Sequence, residues 1–126
     1  MAIVLARNKS TLEVVLLVRS EEVRLSINNK HENPRVRNIQ LPHNVRATVD
    51  PQEALTDVQY IFHAVPVQSS RCFLTSIAKY VSPNVPVINL SKGVEVGTTN
   101  LMSQVFCNAH FGKIDRSRTA GSADQK

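Results

Sequence analysis

The stretch Leu12-Glu13-Val14-Val15-Leu16-Leu17-Val18-Arg19 decides the fold. Its uninterrupted β-branched and aliphatic run predicts a strand over residues 12–18 that is buried on both faces. Strands of that kind belong to parallel sheets covered by helices. Downstream, residues 20–29 read as a helix. Val23 and Ile27 lie four apart, and Glu21 and Glu22 suit the positive helix start. Residues 30–45 are polar, carry Pro34 and Pro42, and read as a loop before a short extended piece at 45–49. Asp50-Pro51-Gln52-Glu53 is a helix start: Asp50 caps, Pro51 takes the first helical position, and Glu53 stands where a capping-box acid belongs. That helix ends near Asp57. Upstream, residues 1–8 read as the end of an apolar helix, followed by a turn.

The second half repeats the alternation. Residues 58–65 form a strand holding Ile61, Phe62, Ala64 and Val65, and Pro66 stops it. Residues 69–81 are amphipathic, with Phe73, Leu74, Ile77, Ala78 and Val81 on one face. Residues 85–90 give a third clear strand, which Ser91-Lys92-Gly93 leaves. A last helix over 98–106 buries Leu101, Met102, Val105 and Phe106. Beyond Cys107 the periodicity ends, and residues 108–126 read as a divergent, basic, disordered tail. Strands alternating with helices predict an α/β domain with a mostly parallel sheet. Ligands of such sheets bind outside the carboxyl ends of the strands. Arg19, residues 66–69 and residues 91–93 are therefore the places to inspect.

Composition narrows the partners. A chain of 126 residues with 42% apolar and 20% charged residues fits one ordinary globular domain. Its apolar runs are too short to span a bilayer, and no secretory pattern opens it, so no membrane partner is expected. Cys72 and Cys107 make neither a disulfide framework nor a zinc site and read as reduced thiols. The net charge of +5 admits a phosphate ligand, an acidic surface or nucleic acid. Residues 19–46 carry +3 of it and the tail +2. A basic stripe interleaved with stacking aromatics is missing, which argues against nucleic acid.

Each candidate residue has a plain alternative. Arg19 follows a buried strand, where a dinucleotide-binding fold reads the adenosine ribose. An arginine there accepts a 2′-phosphate or stacks on adenine; the alternative is a solvated strand-end cation. Lys92, followed by Gly93, stands where an ammonium pairs with a phosphate or polarises a carbonyl; the alternative is a surface lysine. Pro66 turns the chain over the crevice, or simply ends a strand. His31 and Glu32 are adjacent and do not converge on one metal, and His43, His63 and His110 have no ligand spacing to them. His63 reads as a satisfied core histidine, and Cys72 as helix packing rather than a nucleophile.

Taken in order, AIVLARN (2–8), EVVLLVR (13–19), INNKHENPR (27–35), LPHNVRATVD (41–50), HAVPVQ (63–68), NLSKGVEV (89–96) and LMSQVF (101–106) resemble one family. It is the NAD(P)-dependent glycerol-3-phosphate dehydrogenases, and the wording is closest to the plant or algal plastid type. The resemblance implies that residues 1–107 are a partial NAD(P)-binding Rossmann domain. Its parallel sheet, flanked by helices, is incomplete, because the family's first strand and Gly-rich turn are missing from the matched text. It implies hydride transfer between NAD(P)H and dihydroxyacetone phosphate, giving sn-glycerol 3-phosphate. Arg19 matches the position that contacts the adenosine end of the cofactor. Lys92 matches the lysine that lies by both the nicotinamide and the substrate.

The first glycine is Gly93, so no GxGxxG turn is present to seat the pyrophosphate on a helix N-terminus. Cofactor binding, whether of NAD or NADP, is therefore expected to be weak. No catalytic residue is assigned, since the family's acid/base and phosphate-binding arginine lie outside the matched segments. The chain reads as an inactive fragment of a cytoplasmic or plastid enzyme, with no transit peptide among its residues. The alternative is a non-catalytic nucleotide-binding or subunit-interaction module. Without a shared central strand, the strands at 12–18 and 58–65 keep open apolar edges, which favour homo-oligomer pairing and lower stability.

Overall fold

The computed structural model describes residues 2–9 and 11–108. The tail expected to be disordered lies outside them from residue 109 on, while Asn108 closes the last helix. The chain divides into two compact units, Met1–Ala54 and Leu55–Lys126.

The first unit runs α1 (Ala2–Asn8), β1 (Val14–Leu17), α2 (Glu21–Lys30), β2 (Val45–Thr48) and α3 (Pro51–Leu55). β1 and β2 pair in parallel, with Val14 opposite Val45 and Leu17 opposite Thr48. Alternate residues Val14, Leu16 and Val18 join Val45 and Ala47 on one core, which Ala6, Ile27 and Leu41 complete. The expected burial of β1 on both faces is not met: Val14 to Leu17 are all half-buried. The reason is pairing, because β1 has a single strand neighbour in a two-stranded sheet.

Two asparagines tie this unit together. The Asn28 side chain donates to the Ala47 carbonyl at 2.9 Å and accepts the Ala47 N–H at 2.8 Å. That bidentate contact occupies backbone groups that a further strand would otherwise take. The Asn44 amide donates to the carbonyls of Ala6 at 3.0 Å and Leu12 at 2.7 Å, joining the end of α1 to the entry of β1.

Asp50 caps α3 as expected, accepting the Gln52 N–H at 2.9 Å. The capping-box role of Glu53 is corrected. Its carboxylate instead accepts from Thr48 Oγ1 and an Arg46 guanidinium N–H, each at 2.6 Å. These partners at the end of β2 compete for the acid, so Glu53 anchors α3 to the strand.

The second unit runs β3 (Ile61–His63), α4 (Val67–Ile77) with a 3-10 turn at Ala78–Tyr80, β4 (Val87–Asn89) and α5 (Met102–Asn108). β3 and β4 are parallel, Ile61 opposite Val87 and His63 opposite Asn89. β3 is shorter than the expected strand at 58–65. Ile61 N–H donates to Pro86 O at 3.0 Å, and one step earlier Pro86 has no N–H to extend the ladder. α4 starts at Val67, two residues before the expected position, with Pro66 at its N-cap (φ −53°, ψ 138°).

Val67, Leu74 and Ile77 of α4 and Met102, Val105 and Phe106 of α5 are buried, and the two helices pack on each other. Two expectations fail here. Cys72 is exposed rather than packed. Leu101 is 57% exposed, because it belongs to a loop that it closes by an antiparallel bridge to Val94. No helix among the described residues is long and apolar enough to cross a membrane.

Candidate functional site

Both singled-out cations stand at carboxyl ends of parallel strands, in different units. Arg19 follows β1 in a bend and is exposed. Among the described residues it forms no ion pair, whereas the next cation, Arg24, is held by Glu21 through an Nε–H donated at 2.8 Å. Lys92 follows β4, is likewise exposed, and has no ion-pair partner among the described residues. Unpaired ammonium and guanidinium groups beyond the carboxyl ends of strands suit an anionic ligand.

The loop that carries Lys92 is tied on both sides. Ser91 Oγ donates to Val65 O at 2.6 Å, and Ser91 N–H donates to Asn89 Oδ1 at 3.0 Å. Gly93 then takes a left-handed φ of 108°, which permits the turn away from β4. Beyond it the Gln68 amide donates to Val94 O at 3.2 Å and accepts the Val96 N–H at 3.0 Å. Between those two residues, the Glu95 carboxylate takes two parallel bonds from Arg71, Nε–H at 2.8 Å and Nη2–H at 2.7 Å. Thr98 Oγ1 donates to the same carboxylate. Arg71 first, and Thr98 second, hold the Glu95 carboxyl down at about 2.

Glu95 and Arg71 were not singled out from sequence; Gln68 fell within the stretch 66–69 marked for inspection, without a role of its own. The pattern Val94-Glu95-Val96 hid the acid. The acid is buried while both valines are exposed, the reverse of what hydropathy suggests.

At the end of β3 the satisfied-core reading of His63 holds. The ring is 3% exposed and meets Phe106 edge-on at 5.0 Å. Ser70 Oγ lies 3.0 Å from Pro66 O and 3.2 Å from Val65 O, so its proton goes to a carbonyl. That assigns His63 Nε2–H as donor to Ser70 Oγ at 2.9 Å. Burial lowers the His63 pKa to about 4, so the ring is neutral near pH 7.

In the first unit, folding brings His43 Nδ1 to 3.4 Å from His31 Nε2, a pairing that twelve residues of separation hid. No group of three or more metal-capable side chains forms among the described residues. A depression of about 530 Å³ between α2 and residues 33–40 mixes Lys30, Glu32 and Arg37 with Val36 and Ile39. Arg19 does not line it, and its mixed walls define no single ligand chemistry.

Comparison with known proteins gives these positions their context. Residues 1–113 match the family described as NAD-dependent glycerol-3-phosphate dehydrogenase N-terminus. The chain is 50% identical over 107 residues to a chloroplastic NAD(+) glycerol-3-phosphate dehydrogenase of Arabidopsis thaliana, covering 84% of this chain and 26% of the relative. It is 41% identical over 109 residues to an NAD(P)+ glycerol-3-phosphate dehydrogenase of Streptomyces griseus, covering 86% of this chain and 32% of the relative. The crystal structure of a glycerol-3-phosphate dehydrogenase from Coxiella burnetii shares the fold, with a TM-score of 0.78 and 22% identity, over 90% of this chain and 34% of that one. The chain thus spans about a quarter to a third of these relatives. With residues 1–113 matched, it belongs to the family of N-terminal domains of NAD-dependent glycerol-3-phosphate dehydrogenases.

Proposed function

We propose that these residues form the cofactor-binding part of an NAD(P)-dependent glycerol-3-phosphate dehydrogenase, which interconverts dihydroxyacetone phosphate and sn-glycerol 3-phosphate. One observation carries the reading in the molecule itself: an exposed cation with no ion-pair partner among the described residues stands at the carboxyl end of a parallel strand in each unit, Arg19 after β1 and Lys92 after β4. Each of the two groups by its chemistry suits a phosphate-bearing ligand. Arg19 holds the adenosine end, and Lys92 holds the nicotinamide end and the substrate. The nicotinamide, when bound, supplies the hydride. The residues present contribute binding and charge; no acid or base for the carbonyl oxygen is assigned among them.

The relatives' names span NAD(+) and NAD(P)+, and Arg19 is compatible with either cofactor. A plastid or cytoplasmic setting is proposed with this reading; of the two relatives, the Arabidopsis thaliana one is named chloroplastic. Calorimetric titration of the folded chain with NADH and NADPH tests the reading. Weak binding, with a dissociation constant on the order of a millimolar, is expected because no Gly-rich turn is present. It should weaken further in Arg19→Ala and Lys92→Ala. Binding indifferent to both substitutions would overturn it.

A second reading, a subunit-interaction module, is favoured by the sheets. β1 and β3 each have one strand partner in a two-stranded sheet, and an open edge pairs readily with another chain. A concentration-independent monomer in analytical ultracentrifugation would exclude it.

A further inference from the structure

The grip on the Lys92 loop comes from one turn of one helix. Gln68 and Arg71 are three apart in α4, so their side chains leave the same face. Together they hold three successive loop residues: Gln68 the backbone of Val94 and Val96, and Arg71 the carboxylate of Glu95. Thr98 closes the far side of that carboxylate, and the Glu95 N–H donates to Asn100 O at 3.0 Å. On the near side, Ser91 is bonded to Val65, two residues past the end of β3. Lys92 and Gly93 are thus suspended between two fixed points, and Gly93 is the permissive joint between them.

Such an arrangement is out of proportion to a surface turn. Glu95 is a carboxylate with 8% exposure, and both of its oxygens are engaged. The bidentate pair is part-buried, with Arg71 half-exposed, so it contributes little net stability, yet it fixes geometry. Three residues before Glu95 on the same loop stands the exposed Lys92.

We infer that Arg71, Glu95 and Gln68 are positioning residues for Lys92. They form a clamp that pre-organises this lysine for an anionic ligand without touching the ligand. The inference rests on the reading of Lys92 as a ligand-binding group. Its energetic basis is pre-organisation: a cation already held in place gives up less freedom on binding than one on a mobile loop.

The test is a double-mutant cycle on the full chain, with NADH as probe and binding followed by calorimetry. Lys92→Ala should weaken NADH binding about tenfold. Glu95→Gln, which keeps the shape and loses the charge, should weaken it about threefold to tenfold. Arg71→Lys, which keeps the charge and loses the fork, should fall between Glu95→Gln and the unmodified chain. In the Lys92→Ala background, Glu95→Gln should have no further effect, because the clamp acts only through that lysine. Equal weakening in both backgrounds would make the pair merely structural and overturn the inference. If Lys92→Ala leaves NADH binding unchanged, the reading of Lys92 fails and the inference with it.

Hydrogen exchange reads the clamp with no ligand present. Glu95→Gln should speed exchange of the amides at 95, 96 and 99 at least tenfold and leave those of β3 and β4 unchanged. Unchanged loop exchange would overturn the clamp even if Lys92 binds NADH.

Discussion

The two units solve the same problem, a pair of parallel strands under helices, with different means. In the first, the polar work is done on strand backbone. Asn28 fills the Ala47 N–H and carbonyl, and Asn44 joins α1 to the entry of β1. At the carboxyl end, the end of β2 is tied through Thr48 and Arg46 to Glu53, but beyond β1 Arg19 sits in a bend and Ser20 caps α2 without a side-chain hydrogen bond. In the second, the polar work is concentrated at the carboxyl end. Ser70 with His63, Ser91 with Val65, and the Gln68 and Arg71 grip on residues 94–96 all lie there. The lesson is that order at a strand end is bought by side chains from the next helix. The two strand-end cations therefore differ: the loop that carries Lys92 is tied on both sides, and the bend that carries Arg19 has no such ties among the described residues.

The comparison can be broken most strongly in the cores. Leu74→Ala and Ile27→Ala each remove a fully buried side chain, and each should destabilise its own unit by about 3 kcal/mol in denaturant titration. Hydrogen exchange on each variant would show whether the loss stays within its unit; loss of protection in both units at once would mean that they unfold together.

Acid gives the next effect. The folded pKa of His63 is lowered to about 4 by burial. Below about 6.5 the unfolded chain takes up a proton that the folded second unit refuses, so stability falls as pH drops from 6.5 towards 4. The loss reaches roughly 3 kcal/mol. His63→Gln should remove that slope. Glu95 is linked in the same direction but lower in pH: its depressed carboxyl contributes stability that is lost as pH falls from about 4.5 towards 2, below nearly all of the His63 window. A slope that survives His63→Gln would place the titrating group elsewhere.

Smaller is the loss of the Asn28 bridge. Asn28→Ala leaves the Ala47 N–H and carbonyl without their partner. It should cost about 1–3 kcal/mol, confined to the first unit. Faster exchange at Ala47, with no change in residues 61–89, would sharpen the contrast. At the low end, Arg24→Ala breaks only an exposed pair with Glu21. Its melting midpoint should match that of the unmodified chain.

Sequence reading went furthest where one residue type admits one local structure. The aliphatic run of β1, the Asp50-Pro51 start of α3, the buried periodicity of Leu74 and Ile77, and the strand of Val87 to Asn89 were all legible. Boundaries failed where tertiary partners intervened. Pro86, opposite residue 60, stops the β3 ladder. Glu53 leaves its capping place for Arg46 and Thr48. Residues 98–101 give up helix for a loop because Glu95 is held by Arg71 and Thr98. The site was half legible. Arg19 and Lys92 follow from strand ends, but Gln68 and Arg71 lie more than twenty residues before Glu95 and its neighbours and meet them only when α4 packs against the loop.

The most direct test of the contrast is hydrogen exchange of the unliganded chain, comparing the amides of residues 95, 96 and 99 with those of Arg19 and Ser20. The Glu95, Val96 and Thr99 N–H groups are all hydrogen-bonded in the loop. The account predicts exchange at least tenfold slower there than at Arg19 and Ser20. Equal rates at the two strand ends would contradict it, since Lys92 would then be no better held than Arg19.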